Sequence, residues 1–389
     1  MATKKINIGV VGSTGSVGKT SLKIFKKYKK QFNIELLVCD QNLKEITNQI
    51  KVYSPKYVFV NNHKVYKLIK LKKFKKKVFF FNNFFLFKKK FTSKLDKVIL
   101  GVPGLSGLKF AFFFTTNSKE LLIANKESLV CGASILLKKA KANNCKITSI
   151  DSEHFCIKQI IKDKSLNEID SVFLTASGGP FLKKKESSYS RASIAKVTNH
   201  PKWSMGGKIS VDSATMCNKI FELIEAHVLF NIPIRKLKIK IHEESQVHSA
   251  VVFKNGLVHM VMHDTTMMIP IRNSIFENKF KNQFNNFFKS KKNIQLNFDE
   301  MKLSKFKILK TGYKVLKLGH TAWILFNVIN DNLVEKFLNK KIFFYEIVRN
   351  LIKIFSRNSI MLYCKKTKVN NMSDVNKIIN YGNVVADKL

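Results

Sequence analysis

The apolar run Ile-Asn-Ile-Gly-Val-Val at 6–11 gives way to Gly12-Ser-Thr-Gly15-Ser-Val-Gly18, and apolar residues then return at Leu22, Ile24 and Phe25. This order predicts a strand, a glycine turn and a helix. A second strand is predicted over 34–38, running into Cys39-Asp40-Gln41-Asn42. Further strands are predicted at 57–60 and 98–102, with lysine-rich helical segments between them. Strands alternating with helices pack as a parallel, doubly wound sheet, so residues 1–149 are expected to form an α/β domain. Residues 64–97 mix Lys, Phe and Asn with little clear period and read as a solvated, drifting part of that domain. From about 150 to 276 the chain is denser in Ser, Asp, Glu, His and Gly, and the chemistry is expected there. Residues 277–310 read as a connector. Residues 311–389 carry Val315, Leu316, Leu318, Ile324, Leu325, Val328 and Ile329 at helical spacing and predict a small C-terminal helical domain.

The length of 389 residues suits two to three domains at roughly 150 residues each. A net charge of +44 first suggests nucleic acid or an anionic membrane. Only five of the 70 basic residues are arginine, however, namely Arg191, Arg235, Arg272, Arg349 and Arg357. Nucleic-acid readers lean on the bidentate guanidinium, whereas abundant Lys, Phe, Asn and Ile look like drift toward A+T-rich codons. No specific nucleic-acid partner is expected, and a basic polyanion-binding protein remains the alternative from a different class. The six cysteines are scattered without a C-x-x-C pair, which fits a reducing compartment. The N-terminus runs straight into a strand pattern, and the longest apolar stretches, such as 78–87, fall far short of the roughly 20 residues of a membrane span. A soluble, cytoplasmic protein without a membrane partner is expected.

Gly12-x-x-Gly15-x-x-Gly18, between strand and helix, suits a pyrophosphate at a helix N-terminus. A nucleoside-triphosphate loop of the form G-x-x-x-x-G-K-[ST] would need glycine at 13, which is Ser13. Asp151-Ser152-Glu153 follows the apolar 147–150 stretch. If that segment stays extended, alternation places Asp151 and Glu153 on one face. Glu222, on a helix expected to start near Ser213, offers a third carboxylate, and three oxygen ligands suit Mg²⁺ or Mn²⁺. Ser177, Ser213, Asn218 and Lys219 are candidate binders of an anionic monophosphate. The segment from Ser177 to Gly207 has glycines at both ends and holds His200-Pro-Lys-Trp203-Ser-Met205. That composition suits a lid, at about 178–207, that excludes water. Each feature alone also fits ordinary capping, solvated charge or packing.

Six blocks in order, Gly12 to Gly18, Ala124-Asn-Lys-Glu-Ser-Leu-Val130, Asp151-Ser-Glu-His154, Ser177-Gly-Gly-Pro-Phe181, His200 to Gly206 and Lys208-Ile-Ser-Val-Asp-Ser-Ala-Thr-Met-Cys-Asn-Lys219, closely resemble the 1-deoxy-D-xylulose 5-phosphate reductoisomerase family. The resemblance implies three parts: a Rossmann-type domain, an α+β catalytic domain with a lid loop, and the C-terminal helical domain. It implies metal-dependent rearrangement of 1-deoxy-D-xylulose 5-phosphate and reduction by NADPH to 2-C-methyl-D-erythritol 4-phosphate, a step of the non-mevalonate isoprenoid pathway. It also implies a homodimer. By resemblance, Asp151, Glu153 and Glu222 would hold the divalent metal, Mg²⁺, Mn²⁺ or Co²⁺. Lys126 and Ser152 would contact substrate, while Ser177, Ser213, Asn218 and Lys219 would fix its phosphate. His200 would close over it, with Trp203 and Met205 as an apolar seal. Thr14, Gly15, Ser16 and Val17 would hold the cofactor pyrophosphate, with Asn42, Asn125, Glu127, Gly206 and Met267 adding contacts.

The chain departs from the family's pattern at Asp40-Gln41, where small and basic residues usually precede the asparagine, at Glu243-Glu244, at Met268-Ile269 and at Asn330-Asp331. An acid at 40 favours a free ribose 2′-hydroxyl over a 2′-phosphate, so a weakened NADP preference with some use of NADH is expected. None of the departures removes a proposed metal ligand or phosphate binder. An active enzyme is therefore expected, with another Rossmann-fold NAD(P) dehydrogenase as the alternative.

Overall fold

The computed structural model describes residues 5–203, 205–277 and 293–389. The chain divides into two units. The first comprises Met1–Asn125, Leu136–Asp151 and Met267–Lys279, the second Lys126–Ile135, Ser152–Thr266 and Phe280–Leu389.

The first unit is built on β1 (Ile6–Val11), β2 (Phe32–Cys39), β3 (Tyr57–Val60), β4 (Phe79–Phe81), β5 (Leu95–Leu100), β6 (Ser118–Ile123) and β7 (Lys146–Ser149). They form one sheet in the order β4-β3-β2-β1-β5-β6-β7, and all its pairings are parallel. Ile8, Val10, Leu36, Leu37, Val38, Val58 and Ile99 are essentially inaccessible to solvent, because a parallel sheet is covered on both faces and selects continuous apolar runs. The chain first steps from β1 to β2, β3 and β4 on one side, then returns to place β5 on the other. That reversal opens a crevice at the carboxyl ends of β1 and β5, where such folds bind ligands.

Two expectations shift here. The strand expected at 98–102 lies at Leu95–Leu100, since Gly101-Val102-Pro103-Gly104 takes the chain out of the sheet and proline cannot donate to a ladder. Residues 64–97 are largely exposed, as expected of a solvated part of the domain, yet they carry regular structure that their sequence did not show. They supply the helix His63–Lys70, β4 and the helix Phe84–Lys90, with Asn62 and Asn83 side chains capping the helices. Phe87 packs edge-on against Phe59 and Phe81, with centroids 5.6 and 5.5 Å away, and Phe84 against Phe110 at 5.0 Å. Aromatic pairs at such spacings add roughly 0.5–1.5 kcal/mol each beyond burial. The period is hidden in sequence because phenylalanine replaces the usual mixture of aliphatic core residues.

The second unit contains β8 (Ile169–Ala176), β9 (Leu237–Ile241), β10 (Val247–Phe253), β11 (Val258–Met262) and β12 (Asp299–Glu300) in a five-stranded sheet of order β11-β10-β8-β9-β12. Of the stretch expected to be a connector, residues 278–292 lie outside the described residues, and β12 pairs with β9. The C-terminal part is helical, as its spacing predicts: Ile308–Leu318, His320–Leu338, Phe344–Phe355, Asn358–Lys366 and Met372–Asp387. His320–Leu338 is buried on nearly every face. Its neighbour Met372–Asp387 approaches it at Gly382, where an added Cβ would stand 2.8 Å from Val328 Cγ1. No described helix is long and apolar enough to cross a membrane, and all six cysteines are free and buried.

Candidate functional site

In the first unit the glycine turn follows β1 and opens the helix Ser16–Lys27. Gly12 has φ of +87°, and a Cβ on Gly18 would lie 2.3 Å from the Gly12 carbonyl oxygen, so both positions require glycine. The helix has Gly15 as its N-cap, with no side chain capping it, so its first amides face outward for an anion. Beside the turn lies a cavity of ≈ 290 Å³ whose lining includes Gly12, Thr14, Gly15, Asp40, Asn61 and Lys109. Asn42 caps the helix Leu43–Tyr53 by accepting the Glu45 N–H. Asn125 donates to the Gly104 carbonyl at 3.0 Å, and Met267 is the N-cap of the helix Met268–Phe276.

The carboxylates gather where β7 ends. The expected extended segment is absent: the helix Ser152–Ile161 begins directly after Asp151, putting Glu153 in its first turn. The helix wins because Ile157, Ile160 and Phe155 bury on one side. The helix expected to begin near Ser213 is two helices, Gly207–Thr215 and Cys217–Phe230, broken at Met216 with φ of 68°. Glu222 lies on the second, whose register is held by His154 Nε2 at 2.9 Å from the Glu222 carbonyl oxygen. Asp151, Glu153 and Glu222 each offer an oxygen, and these oxygens lie within 4.8 Å of one another.

The surroundings of this cluster are cationic. Lys219 Nζ stands 2.7 Å from Glu153 Oε1 and 2.5 Å from Glu222 Oε2, and also donates to the Thr175 carbonyl at 2.6 Å. Lys126 Nζ is 3.6 Å from Glu222 Oε1, and Asn218 donates to the same oxygen at 2.5 Å. Burial opposes the charge on Lys219, yet Glu153 and Glu222 outweigh it and hold the ammonium protonated well above the ordinary lysine range. Hard oxygen donors that draw positive charge into a buried place fit a divalent cation of the magnesium class. Ser152 donates to Glu153 Oε2 at 2.6 Å, and Ser249 to the Glu153 carbonyl at 2.9 Å, so Glu153 is held from both ends.

Ser177 and His200 form a second arrangement. His200 Nδ1 accepts the N–H groups of Lys202 and Trp203 at 3.2 and 3.1 Å. The ring proton therefore sits on Nε2, which donates to Ser177 Oγ across 3.1 Å. Ser177 Oγ also accepts the Gly179 N–H at 3.2 Å. With both acceptor positions filled, the hydroxyl proton is directed outward to an anion. Burial, then the Lys219 charge, push the His200 pKa down to about 4, so the imidazole is neutral at physiological pH. Trp203 meets His248 edge-on at 5.8 Å. The segment expected as a lid carries two short helices, Glu186–Tyr189 and Ile194–Thr198, with Phe181 stacked on Tyr189 at 4.6 Å.

Sequence reasoning missed Lys208 as more than a motif letter. It pairs with Glu127, with Asp212 at 2.8 Å and with Asp331 at 3.1 Å, while Asn330 donates to Asp212 at 2.7 Å. Only the Lys208–Asp212 spacing of four on one helix was a signal in the sequence. One ammonium cannot neutralise three carboxylates, and burial pushes the Asp331 pKa up to about 7.

The structure thus brings together Lys126, Asp151, Ser152, Glu153, Asn218, Lys219 and Glu222, and separately Ser177, His200 and Trp203. Ser213 is half-buried on the helix Gly207–Thr215, while Met205 and Gly206 lie just before it. Thr14 and Gly15 line the cavity with Asp40, whereas Ser16 and Val17 sit in the first turn of their helix.

Family models described as 1-deoxy-D-xylulose 5-phosphate reductoisomerase, its C-terminal domain, and DXP reductoisomerase C-terminal domain match residues 8–133, 147–230 and 262–384 respectively. A 1-deoxy-D-xylulose 5-phosphate reductoisomerase of Pelagibacter ubique (strain HTCC1062) is 37% identical over 377 residues, which is 96% of this chain and 97% of that protein. A crystal structure of DOX-P reductoisomerase in complex with NADPH, fosmidomycin and magnesium is similar with a TM-score of 0.89 at 26% identity, covering 98% of both chains. The Zymomonas mobilis 1-deoxy-D-xylulose 5-phosphate reductoisomerase in complex with NADPH gives 0.85 at 25% identity, again over 98% of each.

Proposed function

The chain belongs to the 1-deoxy-D-xylulose 5-phosphate reductoisomerase family, and from that premise we propose which of its residues carry the reaction. It is an NADP-dependent oxidoreductase that converts 1-deoxy-D-xylulose 5-phosphate to 2-C-methyl-D-erythritol 4-phosphate with NADPH and a divalent metal. This sets aside the alternative of another Rossmann-fold dehydrogenase.

Asp151, Glu153 and Glu222 hold the cation, and the observation that carries this assignment is their oxygens lying within 4.8 Å of one another. When bound, the cation supplies Lewis acidity to the substrate's carbonyl and hydroxyl oxygens, and NADPH supplies the hydride. Lys126 and Ser152 orient the reacting end of the substrate beside the carboxylates. Ser177, with its hydroxyl proton free to donate, binds the phosphate together with Ser213, Asn218 and Lys219. Lys219 spans both tasks, since its ammonium is held between Glu153 and Glu222 on the helix turn that also carries Asn218. Binding energy from the phosphate then positions the carbons that rearrange. His200, neutral and pinned by two backbone N–H groups, keeps Ser177 in orientation, and Trp203 and Met205 exclude water when the segment 178–207 closes. Thr14, Gly15, Ser16 and Val17 receive the cofactor pyrophosphate, with Asn42, Asn125, Glu127, Gly206 and Met267 as further contacts.

We assign dinucleotide binding to residues 1–149, metal and substrate binding to 150–276, a connector to 277–310 and a helical domain to 311–389. We also infer a cytoplasmic homodimer. Six cysteines scattered along the chain without a C-x-x-C pair support the compartment. The edge strand β11, flanked and built by Leu257, Val258 and Met260 with about half of each side chain exposed, supports self-association. Sedimentation of the full chain at monomer mass would reject the dimer.

The test follows nicotinamide oxidation when the protein meets 1-deoxy-D-xylulose 5-phosphate and NADPH, with Mn²⁺ or with chelator, for the parent and Glu222→Gln. Oxidation that needs metal and collapses in the variant supports the assignment. Undiminished turnover in the variant or with chelator overturns it.

A further inference from the structure

We propose that Asp40 sets the cofactor specificity, accepting the hydroxyls of an unphosphorylated ribose, so that NADH serves this enzyme alongside NADPH. The inference rests on the reductoisomerase reading and concerns only how the dinucleotide is chosen.

Asp40 directly follows β2, whose last residue is Cys39. It lines the cavity that the glycine turn also lines, through Gly12, Thr14 and Gly15. A carboxylate at this place in a doubly wound fold faces the ribose of a dinucleotide whose pyrophosphate rests on the turn. Its position is fixed by the backbone. Gly12 and Ser13 N–H groups donate to the Val38 carbonyl at 2.9 and 2.8 Å, while Asn61 N–H donates to the Cys39 carbonyl at 3.0 Å and Asn62 N–H to the Asp40 carbonyl at 3.3 Å. The turn and the ends of β2 and β3 are therefore one rigid frame. Asn61 Nδ2 donates to Asp40 Oδ1 at 3.0 Å, which orients the carboxylate and leaves Oδ2 to accept from a ribose hydroxyl.

Among the described residues, this frame offers no basic side chain directly after Asp40 for a 2′-phosphate. The two residues after Asp40 are the neutral Gln41 and Asn42. The N-terminus of the helix Leu43–Tyr53, otherwise a ready anion site, is closed by Asn42 accepting the Glu45 N–H, while the charges of Lys44 and Glu45 offset each other in its first turn and Lys19 Nζ lies 4.0 Å from Glu45. Among the described residues, Lys109 is the one cation lining the cavity, and its ammonium lies over the rings of Phe59, Phe84 and Phe110 at 5.9, 5.3 and 5.4 Å. An aromatic-lined cation beside Phe59 and Phe110 suits the flat face of an adenine more than a dianion. The charge that the frame itself fixes beside the glycine turn is thus the Asp40 carboxylate.

The experiment uses the full chain with its divalent metal. It measures kcat/KM for NADPH and NADH in the parent, in Asp40→Asn, which preserves shape while removing charge, and in Asp40→Ser combined with Gln41→Lys. The expected parental ratio of NADPH to NADH lies within about tenfold of unity. The double variant raises it on the order of 100-fold through KM with kcat retained, as removing one charge and adding its opposite near a dianion requires. Asp40→Asn moves the ratio in the same direction by a smaller factor. A parental ratio above about a thousandfold, or a ratio unmoved in both variants, overturns the proposal. Absence of turnover with either cofactor would instead count against the reductoisomerase reading. The dissociation constants of NADH and NADPH, read from nicotinamide fluorescence in the same three proteins, then decide the Asp40 question on the same criteria.

Discussion

Replacing Lys208 by methionine removes the ammonium that serves Glu127, Asp212 and Asp331, and the structure dictates how the loss depends on pH. The Lys208 side chain is 19% exposed and that of Asp212 2%, so solvent screens the cluster poorly. Breaking a buried ion pair from one side costs about 3–5 kcal/mol, because the abandoned carboxylates stay desolvated. That figure applies near pH 8, above the raised pKa of Asp331. In the parent, burial raises the Asp331 pKa to about 7 from 3.8, so between those values the folded chain binds a proton that the unfolded chain does not. Stability therefore falls as pH rises from about 4 to about 7 and is flat above. Without Lys208, whose charge lowers the Asp331 pKa, Asp331 takes up its proton more readily still, and that proton substitutes for the missing ammonium at low pH. We predict that Lys208→Met is less destabilising at pH 5.5 than at pH 8, by on the order of 1–3 kcal/mol, and that adding Asp331→Asn recovers part of the loss at pH 8. Urea unfolding followed by tryptophan fluorescence reads this directly, since both tryptophans of the chain, Trp203 and Trp323, lie in the second unit. Equal destabilisation at the two pH values, or a loss below about 1 kcal/mol at pH 8, would refute the reasoning.

Three further outcomes are expected. Ser177→Ala removes the hydroxyl proton proposed to meet the phosphate, so KM for 1-deoxy-D-xylulose 5-phosphate is expected to rise about 10- to 100-fold, the scale of one charge-assisted hydrogen bond; steady-state kinetics with an unchanged KM would contradict the orientation given to Ser177. His200, with its pKa lowered to about 4 by burial and then by Lys219, gains stability for the fold as pH rises from about 4 to 6.5, because the unfolded imidazole binds the proton first; titration of its ring signals by NMR with a midpoint near 6.5 would contradict the geometry. Gly18→Ala places a Cβ 2.3 Å from the Gly12 carbonyl oxygen, so the turn must deform, and thermal stabilisation by NADPH should disappear; retention of that stabilisation would show that the turn is not the pyrophosphate site.

Much of the first unit was legible in the chain because its signals are local. The alternation of apolar strands with a glycine turn fixed β1 and the helix after it, and the bounds of Tyr57–Val60 match the expectation to the residue. The C-terminal helices were legible for the same reason, a 3.6-residue spacing of apolar side chains. The acids and hydroxyls proposed for the site stand out in the chain as residue types, since a divalent cation and a phosphate each demand a narrow set of donors. The order within 64–97 was hidden, because phenylalanine there serves a cluster completed by Phe110, Phe113 and Phe114 from a later helix.

Left to the sequence alone, Asp151 and Glu153 would share one face of an extended segment. The buried side of the helix Ser152–Ile161 decides otherwise. Nothing local predicts that Lys219 is inserted between Glu153 and Glu222, that His200 fixes the proton of Ser177, or that Lys208 gathers acids from residues 127, 212 and 331. Periodicity and turn chemistry depend on neighbours a few bonds away, and the chain determines them by itself. Which charge meets which depends on burial, and burial is decided only when distant segments have excluded water together.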